Sequence, residues 1–261
     1  ARQREDMSNV RRLGVDETSS KQGHHYVSLF ADLDRAKVLF VTAGRDSGTV
    51  TAFREDLEKH QGQAKNIKTV CLDMSPAYQA GLFKEFRDAR MVFDRFHVMK
   101  IVNHALDEIR RAEVKENKIL KHTRYCWLKN PQNLTYRQRD RLDVLKQMNL
   151  ATAQAYQMKL NLQELWTLPD RNTAAAFLER WYSWVIESKI GYAMKRAAKT
   201  IQVHAQGILN YFDDRVTNAL MEGINSLVQA AKSRARGYRN VRYFTTIIYL
   251  IAGKLDFSLS T

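Results

Sequence analysis

Short β-rich runs crowd into the first 93 residues of this chain and then give way to helical patterning, and that asymmetry constrains the fold more than any other feature. Residues 12–16 (RLGVD), 26–31 (YVSLFA) and 38–42 (VLFVT) are rich in Val, Leu, Phe and Tyr and are separated by the turn residues Ser19, Ser20, Gly23, Asp32 and Asp34. Connections this short make neighbouring strands antiparallel. A helix is expected over 50–60, with Phe53 and Leu57 one turn apart on its buried side and Gly62 beyond its end. Residues 67–72 (IKTVCL) form a fourth strand. A helix over 78–86 then leads to a fifth strand at 91–93, through a crossover long enough to make it parallel.

The order βββαβαβ is the connectivity of the ribonuclease H-like fold, an α/β architecture with a mixed sheet of three antiparallel plus two parallel strands and helices on its faces. From His97 the pattern is helical for over a hundred residues, with Val102, Leu106 and Ile109, and again Leu142, Leu145 and Met148, at helix spacing. Pro131 and Pro169 mark breaks. Trp127, Trp166, Trp181 and Trp184 all fall here and read as the core of a helical subdomain rather than as base-stacking platforms.

The formal net charge is +14, and it is unevenly placed. Residues 1–109 hold 17 basic and 16 acidic side chains, whereas 110–146 hold 11 and 4, and 195–242 hold 9 and 3. Solvated helix faces commonly carry Lys and Arg, but two separated blocks favour phosphate contact, because clustered positive charge is rewarded by counterion release. Nucleic acid is the partner this implies. Cys71 and Cys126 are too few for a zinc ribbon or a disulfide framework, so a reducing cytoplasm is expected. The longest apolar stretch, 243–251, falls well short of the roughly 20 residues that span a bilayer, and no hydrophobic signal core opens the chain. The start at Ala1, about ten residues before the first strand, reads as that of a segment cut from something longer.

Phosphodiester chemistry on such a sheet needs carboxylates at strand ends, since paired divalent ions about 4 Å apart require oxygen ligands that do not move. Asp16 closes RLGVD and Asp73 closes IKTVCLD, on the first and fourth strands, which are adjacent if the fourth packs parallel to the first. Strand-terminal Asp residues also serve as turn formers and helix caps. Asp32 and Asp34 compete for the first position, but promoting them leaves one strand too few. Glu222 offers a third carboxylate. On its helix Val216, Leu220, Leu227 and Ala231 line one side, while Glu222 shares the other with Asn218, Asn225 and Ser226, a face polar yet poor in charge. Asp94 and His97 admit three roles: a pair behind the metal ligands, a helix cap with its first turn, or a metal site of their own. His24 and His25 lie in an expected turn without ligand-spaced partners. Walker, G-x-S-x-G and H-E-x-x-H motifs do not occur, which removes local support for P-loop nucleotide hydrolysis, serine hydrolysis and zinc proteolysis.

Five segments in order along the chain resemble the DDE transposases of bacterial insertion sequences, of the ISL-three type. They are GVDETS at 14–19, HYVSLFADLDRAKVLFV at 25–41, DMSPAY at 73–78, VFDRFHVMK at 92–100 and TNALMEGINSLVQAAKSRARGYRN at 217–240. The resemblance implies a ribonuclease H-like catalytic domain whose first part covers 1–102 and whose C-terminal helices, 206–261, complete it around a helical insertion at 103–205. It implies a catalytic and metal-binding triad of Asp16, Asp73 and Glu222, behind which the residue reading sets Asp94, His97, Asn218 and Asn225. Two Mg²⁺ ions, replaceable by Mn²⁺, are the implied cofactors. Double-stranded DNA, as transposon ends and target, is the implied partner, contacted by Lys195, Arg196, Lys199, Lys232, Arg234, Arg236 and Arg239. A homodimer or larger assembly on DNA, no membrane association, and a bacterial, nucleoid-associated location follow. Family members resemble one another in an N-terminal zinc-binding segment and helix-turn-helix that are missing from this sequence. A nuclease of the same fold without strand transfer, and an inactive DNA-binding remnant, are the competing readings.

Overall fold

The computed structural model describes residues 1–21, 23 and 25–257. In chain order the sheet-forming part runs β1 (Arg12–Ser19), β2 (Tyr26–Asp32), β3 (Lys37–Ala43), α1 (Ser47–Lys59), β4 (Thr69–Leu72), α2 (Pro76–Glu85) and β5 (Arg90–Phe93). Helices follow: α3 (Arg95–Glu113), α4 (Arg124–Leu128), α5 (Tyr136–Leu145), α6 (Ala151–Glu164), α7 (Arg171–Glu187), α8 (Tyr192–Val203), α9 (Ala205–Leu209), α10 (Tyr211–Asp214), α11 (Ala219–Arg234) and α12 (Val241–Ala252). The chain divides into two compact units, 1–94 with 215–261, and 95–214.

The first unit is built on a five-stranded sheet of order β3-β2-β1-β4-β5. β1 pairs antiparallel with β2, and β2 with β3, whereas β1–β4 and β4–β5 are parallel. The sheet is therefore mixed in the expected pattern. Every residue of β4 is buried, as expected of a central parallel strand covered on both faces. One face is filled by an aromatic stack in which Phe53 of α1 lies flat on Phe30 of β2, centroids 4.6 Å apart, with Phe86 against its other side. Such stacking adds about 0.5–1.5 kcal/mol to the burial of the rings. On the other face Val27, Leu29, Ala31, Val38 and Val41 pack against Met221, Ile224 and Val228 of α11 and Phe244, Ile248 and Ala252 of α12. The apolar run at 243–251 is thus one helix laid on the sheet. Among the described residues no helix is long and apolar enough to cross a membrane. Tyr249 also takes the backbone N–H of Val41 on its hydroxyl at 3.0 Å, occupying a donor of the edge strand.

Two details differ from the sequence reading. β1 continues three residues past Asp16 because its pairing with β2 persists to Ser19↔Tyr26, so Asp16 lies inside the strand rather than at its end. The buried side of α11 is Met221, Ile224 and Val228, not the row containing Leu227, which is 57% exposed. The helix begins at Ala219, leaving Val216 outside it, and the face that meets the sheet is rotated by about one residue, roughly 100°. The rival acids Asp32 and Asp34 belong to the β2–β3 turn, where Asp32 accepts the N–H groups of Asp34 and Arg35. Asp32 pairs with Leu13, at the other end of β1 from Asp16.

The second unit is all-helical. Val102, Leu106 and Ile109 of α3, with Leu142 and Leu145 of α5, are buried as their spacing requires, but Met148 lies past the end of α5 and is partly exposed. Trp127 and Trp181 are fully packed and hydrogen-bonded through their indole N–H groups, to Thr123 Oγ1 at 3.1 Å and to the Met158 carbonyl at 2.9 Å. Trp166 is half-buried edge-on to Tyr211, and Trp184 faces solvent, so the core reading holds for two of the four. Both Cys71 and Cys126 are buried free thiols.

Candidate active site

The parallel ladder between β1 and β4 pairs Arg12 with Thr69, Leu13 with Val70 and Gly14 with Cys71. Carried two residues further, the same register sets Asp16 opposite Asp73. The β4–β5 ladder ends at Leu72↔Phe93, and its next step sets Asp73 opposite Asp94. Because strand side chains alternate, Asp16 shares the face of Gly14, and Asp73 and Asp94 share that of Cys71 and Val92. Extended past the last paired residues, the two registers put Asp16, Asp73 and Asp94 level with one another just beyond the parallel ladders. Their field is felt nearby. Burial first, then Asp94 and Asp16, push the Cys71 thiol well above its ordinary value. The Tyr78 phenol is raised chiefly by burial, against its hydrogen bond with Ser28, with further contributions from Glu17, Asp73 and Asp16.

α11 covers this face, and Gly14 lets it come close. A Cβ on Gly14 would lie 2.9 Å from Met221 Cγ and 2.7 Å from Leu33 Cδ2. With Met221 seated over Gly14, Asn225 one turn on donates from Nδ2 to Asp16 Oδ2 at 2.6 Å. Further along, Gln229 donates to Thr18 Oγ1 at 2.5 Å and to the Ser19 carbonyl, and Lys232 Nζ reaches Ser19 O and Oγ at 2.7 and 2.9 Å. The polar side of the helix therefore runs along β1 residue by residue. Glu222 is exposed in its first turn, where a carboxylate also complements the helix dipole.

Asp16 accepts the Glu17 N–H on Oδ1 as well as the Asn225 amide, and Asp73 accepts the Ser75 N–H. Asp94 is buried, and its own N–H donates to the Leu72 carbonyl at 3.0 Å. Asn218 is 1% exposed at the N-cap position of α11, yet its side chain makes no cap bond, and among the described residues neither Nδ2 nor Oδ1 has a hydrogen-bond partner. Asn225 Oδ1 is likewise buried without one. Leaving such groups unmatched costs about 1–3 kcal/mol each. Among the described residues no three His, Cys, Asp or Glu side chains converge closely enough to hold a metal ion. The donor set, hard carboxylate oxygens with an unmatched amide oxygen beside them, suits a divalent cation such as Mg²⁺, with further ligands supplied by substrate.

His97 lies in the helical unit, half-buried in the first turn of α3 and edge-on to Phe96. His25 is exposed, and His24 lies outside the described residues. On α8, Lys195 donates to the Ile186 carbonyl in the last turn of α7 at 2.7 Å, Arg196 pairs with Glu108 at 2.8 Å, and Lys199 is exposed. Arg234, Arg236 and Arg239 are exposed at and beyond the end of α11. Sequence reasoning missed the bracing residues Gln229 and Thr18. Their signal was a Gln one turn beyond Asn225, on the same polar side of α11.

These elements match a known class. A family described as transposase, the ISL-three-type DDE transposases, matches residues 13–248, and the chain belongs to it. It is 31% identical over 247 residues to the transposase for insertion sequence element IS1001 of Bordetella parapertussis, covering 92% of this chain and 60% of the relative. It is 26% identical over 261 residues to the transposase for insertion sequence element IS1557 of Mycobacterium tuberculosis, covering 89% of this chain and 58% of that protein. The chain thus spans less than two thirds of either relative's length.

Proposed function

We propose that this chain carries the catalytic part of a DNA transposase of ribonuclease H-like fold, with Asp16, Asp73 and Glu222 as its acidic triad. In this reading 1–102 and 206–261 make the catalytic domain and 103–205 is an insertion into it. The observation that supports the proposal is the β1–β4 register, which pairs Gly14 with Cys71 and, carried two residues on, would bring Asp16 level with Asp73, together with the Asn225–Asp16 bond from the helix that bears Glu222. Oxygens of the three carboxylates would hold two Mg²⁺ ions, or Mn²⁺ in their place. When bound, the ions supply Lewis acidity at phosphate oxygens and acidify water.

The chain's own residues do the positioning. Asn225 and the Glu17 N–H fix the Asp16 carboxylate, and the Ser75 N–H fixes that of Asp73, so neither ligand has to be ordered as substrate arrives. Asn218 and Asp94 are assigned supporting roles in the sheet unit, and His97 is kept as a candidate of the helical unit. In the first reaction a water oxygen bonds to phosphorus as the bond to the 3′ oxygen breaks, leaving a 3′-hydroxyl and a 5′-phosphate. In the second, that hydroxyl attacks a target phosphodiester, releasing the target's own 3′-hydroxyl. Both are in-line displacements and need no covalent enzyme intermediate. Lys195, Arg196, Lys199, Lys232, Arg234, Arg236 and Arg239 are assigned to the DNA, through phosphates or by bracing the contact surface. Joining two ends to one target calls for at least a dimer on DNA.

The test is cleavage and strand joining on a paired-end DNA substrate with Mg²⁺ or Mn²⁺, comparing the unaltered chain with Asp16→Asn, Asp73→Asn and Glu222→Gln. Loss of both products on the order of a thousandfold in each variant is expected, since each removes several kcal/mol of charge stabilisation. Cleavage without joining makes the protein a nuclease. DNA binding with no cleavage, unchanged by Asp73→Asn, makes it a binding remnant.

A further inference from the structure

The polar side of α11 does not end at the acidic residues. It leads past Gln229 and Lys232 into an open cleft of about 1000 Å³ lined by Ser20, Lys21, Lys232, Arg236, Tyr238 and Arg239, among others. Four of these six are cationic, and among the described residues no acidic side chain lines the cleft. One wall is the end of β1 and the turn after it, held to α11 by the Lys232–Ser19 and Gln229–Thr18 bonds. The other wall is the segment that ends α11.

That ending is unusual in its residue choice. The Gly237 N–H closes on the Lys232 carbonyl at 2.8 Å and the Arg236 N–H on the Ser233 carbonyl at 3.0 Å, the paired bonds of a Schellman termination. The residue that must turn left-handed in this motif is ordinarily Gly, yet here it is Arg236, with φ 52°. A left-handed backbone costs a non-glycine residue roughly 1–2 kcal/mol. Arg236 is exposed and lines the cleft. The same bonds occupy the carbonyls of the helix end, which would otherwise repel an anion.

We propose that this cleft is a second phosphate-binding site, separate from the reacting phosphodiester, which grips the backbone of the DNA being cut as it runs along α11. The inference rests on the reading that the chain acts on DNA. Lys21, Arg236 and Arg239 are the contacting residues, and Lys232, tied to Ser19, is a positioning residue that keeps the β1 wall in place. From Glu222 to Lys232 and Arg236 is about 15–21 Å along the helix axis at 1.5 Å per residue. At 3.4 Å per nucleotide of one strand, the gripped phosphates lie about four to six nucleotides from the cut in a duplex following the helix.

The salt dependence of binding to a 40-base-pair duplex reads this directly, because each phosphate that the protein no longer neutralises flattens the plot of log affinity against log salt by about 0.9. The full chain, the pair Arg236→Asn with Arg239→Gln, and a matched control, Lys59→Gln with Arg87→Gln on exposed residues away from the cleft, are compared by fluorescence anisotropy. Asn tolerates the left-handed conformation, so the pair keeps the helix end, and Arg239→Gln alone gives a second variant that leaves that turn untouched. The expected result is a slope flatter by about 1.8 for the pair and about 0.9 for Arg239→Gln, with the control unchanged. Equal flattening in pair and control reduces the cleft to diffuse charge and overturns the proposal. An unaltered slope in the pair, with cleavage still lost in Asp16→Asn, overturns the cleft while leaving the transposase reading intact. Failure of the unaltered chain to bind duplex DNA removes both.

Discussion

The helical unit pairs its buried charges internally, whereas the sheet unit leaves amide atoms unmatched on the helix that reaches Asp16, although atoms without a partner occur in both units among the described residues, as at Asn103 and Trp166. In the helical unit, Asp107 is surrounded by Arg110 at 2.7 Å, Arg124 at 3.4 Å and Arg111 at 3.6 Å. Lys159, with no exposed surface at all, donates to the carbonyls of Trp127 and Leu128 at 2.9 and 2.8 Å and more distantly to that of Lys129, closing the end of α4. The charges buried there are matched from within. In the sheet unit Asn218 is buried, and among the described residues its amide atoms and Asn225 Oδ1 have no hydrogen-bond partner, while Asn225 Nδ2 donates to Asp16. Unmatched polar atoms are a cost the native state carries only where something else repays it, and acidic neighbours make a cation the natural complement. In the proposed reading, the unmatched amides on α11 belong to a cation site, whereas Asp107 and Lys159 in the helical unit serve structure.

The sharpest way to break that comparison is at Asn225. Asn225→Ala leaves Asp16 without its amide donor and is expected to lower metal-dependent cleavage by about 10–100-fold, the usual effect of removing a residue that orients a ligand. Tryptophan fluorescence should stay unchanged, because Trp127, Trp166, Trp181 and Trp184 all lie in the helical unit. A variant that loses cleavage and also shifts the fluorescence would erase the distinction between the two units.

Lys159 gives the reciprocal test. Burial pushes its ammonium down to about 8 from an ordinary 10.5. The unfolded chain therefore binds this proton more tightly than the folded one between pH 8 and 10.5. The folded state bears the full penalty below pH 8, and stability is regained as pH rises through that window. Urea unfolding followed by tryptophan fluorescence should show this group adding roughly 2 kcal/mol to the helical unit between pH 7.5 and 9.5. The gain should vanish in Lys159→Met while cleavage at neutral pH survives. Above pH 10 the trend reverses, since burial raises the phenols of Tyr78, Tyr156 and Tyr249 and their ionisation then favours the unfolded chain.

Smaller effects refine the sheet unit itself. Gly14→Ala forces Met221 and Leu33 to move and is expected to cost about 1–3 kcal/mol, with the Asn225–Asp16 bond loosened and cleavage reduced beyond what the lost stability explains. Thermal unfolding alongside cleavage rates separates the two contributions. At the low end, Arg236→Gly should stabilise the sheet unit by about 1 kcal/mol by relieving the left-handed arginine, while weakening DNA binding. A change in stability and affinity in the same direction would contradict the role given to that residue.

Much of this was legible in the sequence where one physical rule dominated. Alternating apolar runs with short turns pointed to three antiparallel strands and crossover length to a parallel fifth, whereas of the order β3-β2-β1-β4-β5 only the adjacency of β1 and β4 was anticipated. Asp16 and Asp73 could be proposed because each follows an apolar run by a step. The facing of α11 was read wrongly for a definite reason. Leu220 and Leu227 match Met221 and Val228 in hydrophobicity, and periodicity cannot choose between adjacent rows when both are apolar. Gly14 decides the matter by admitting Met221, a packing partner some two hundred positions away that no local pattern contains. The engagement of Lys195 and Lys232 with carbonyls was equally invisible, because a lysine's charge is local in sequence but its partner is not.

The central claim is that Asp16 and Asp73 share a cation. Calorimetric titration of Mn²⁺ into the full chain with a short DNA duplex, repeated with Asp16→Asn and Asp73→Asn, tests it most directly, since the duplex can complete the coordination through phosphate oxygens. The account predicts binding by the unaltered chain that disappears in both variants. Equal binding by all three proteins, or binding by none, would contradict it.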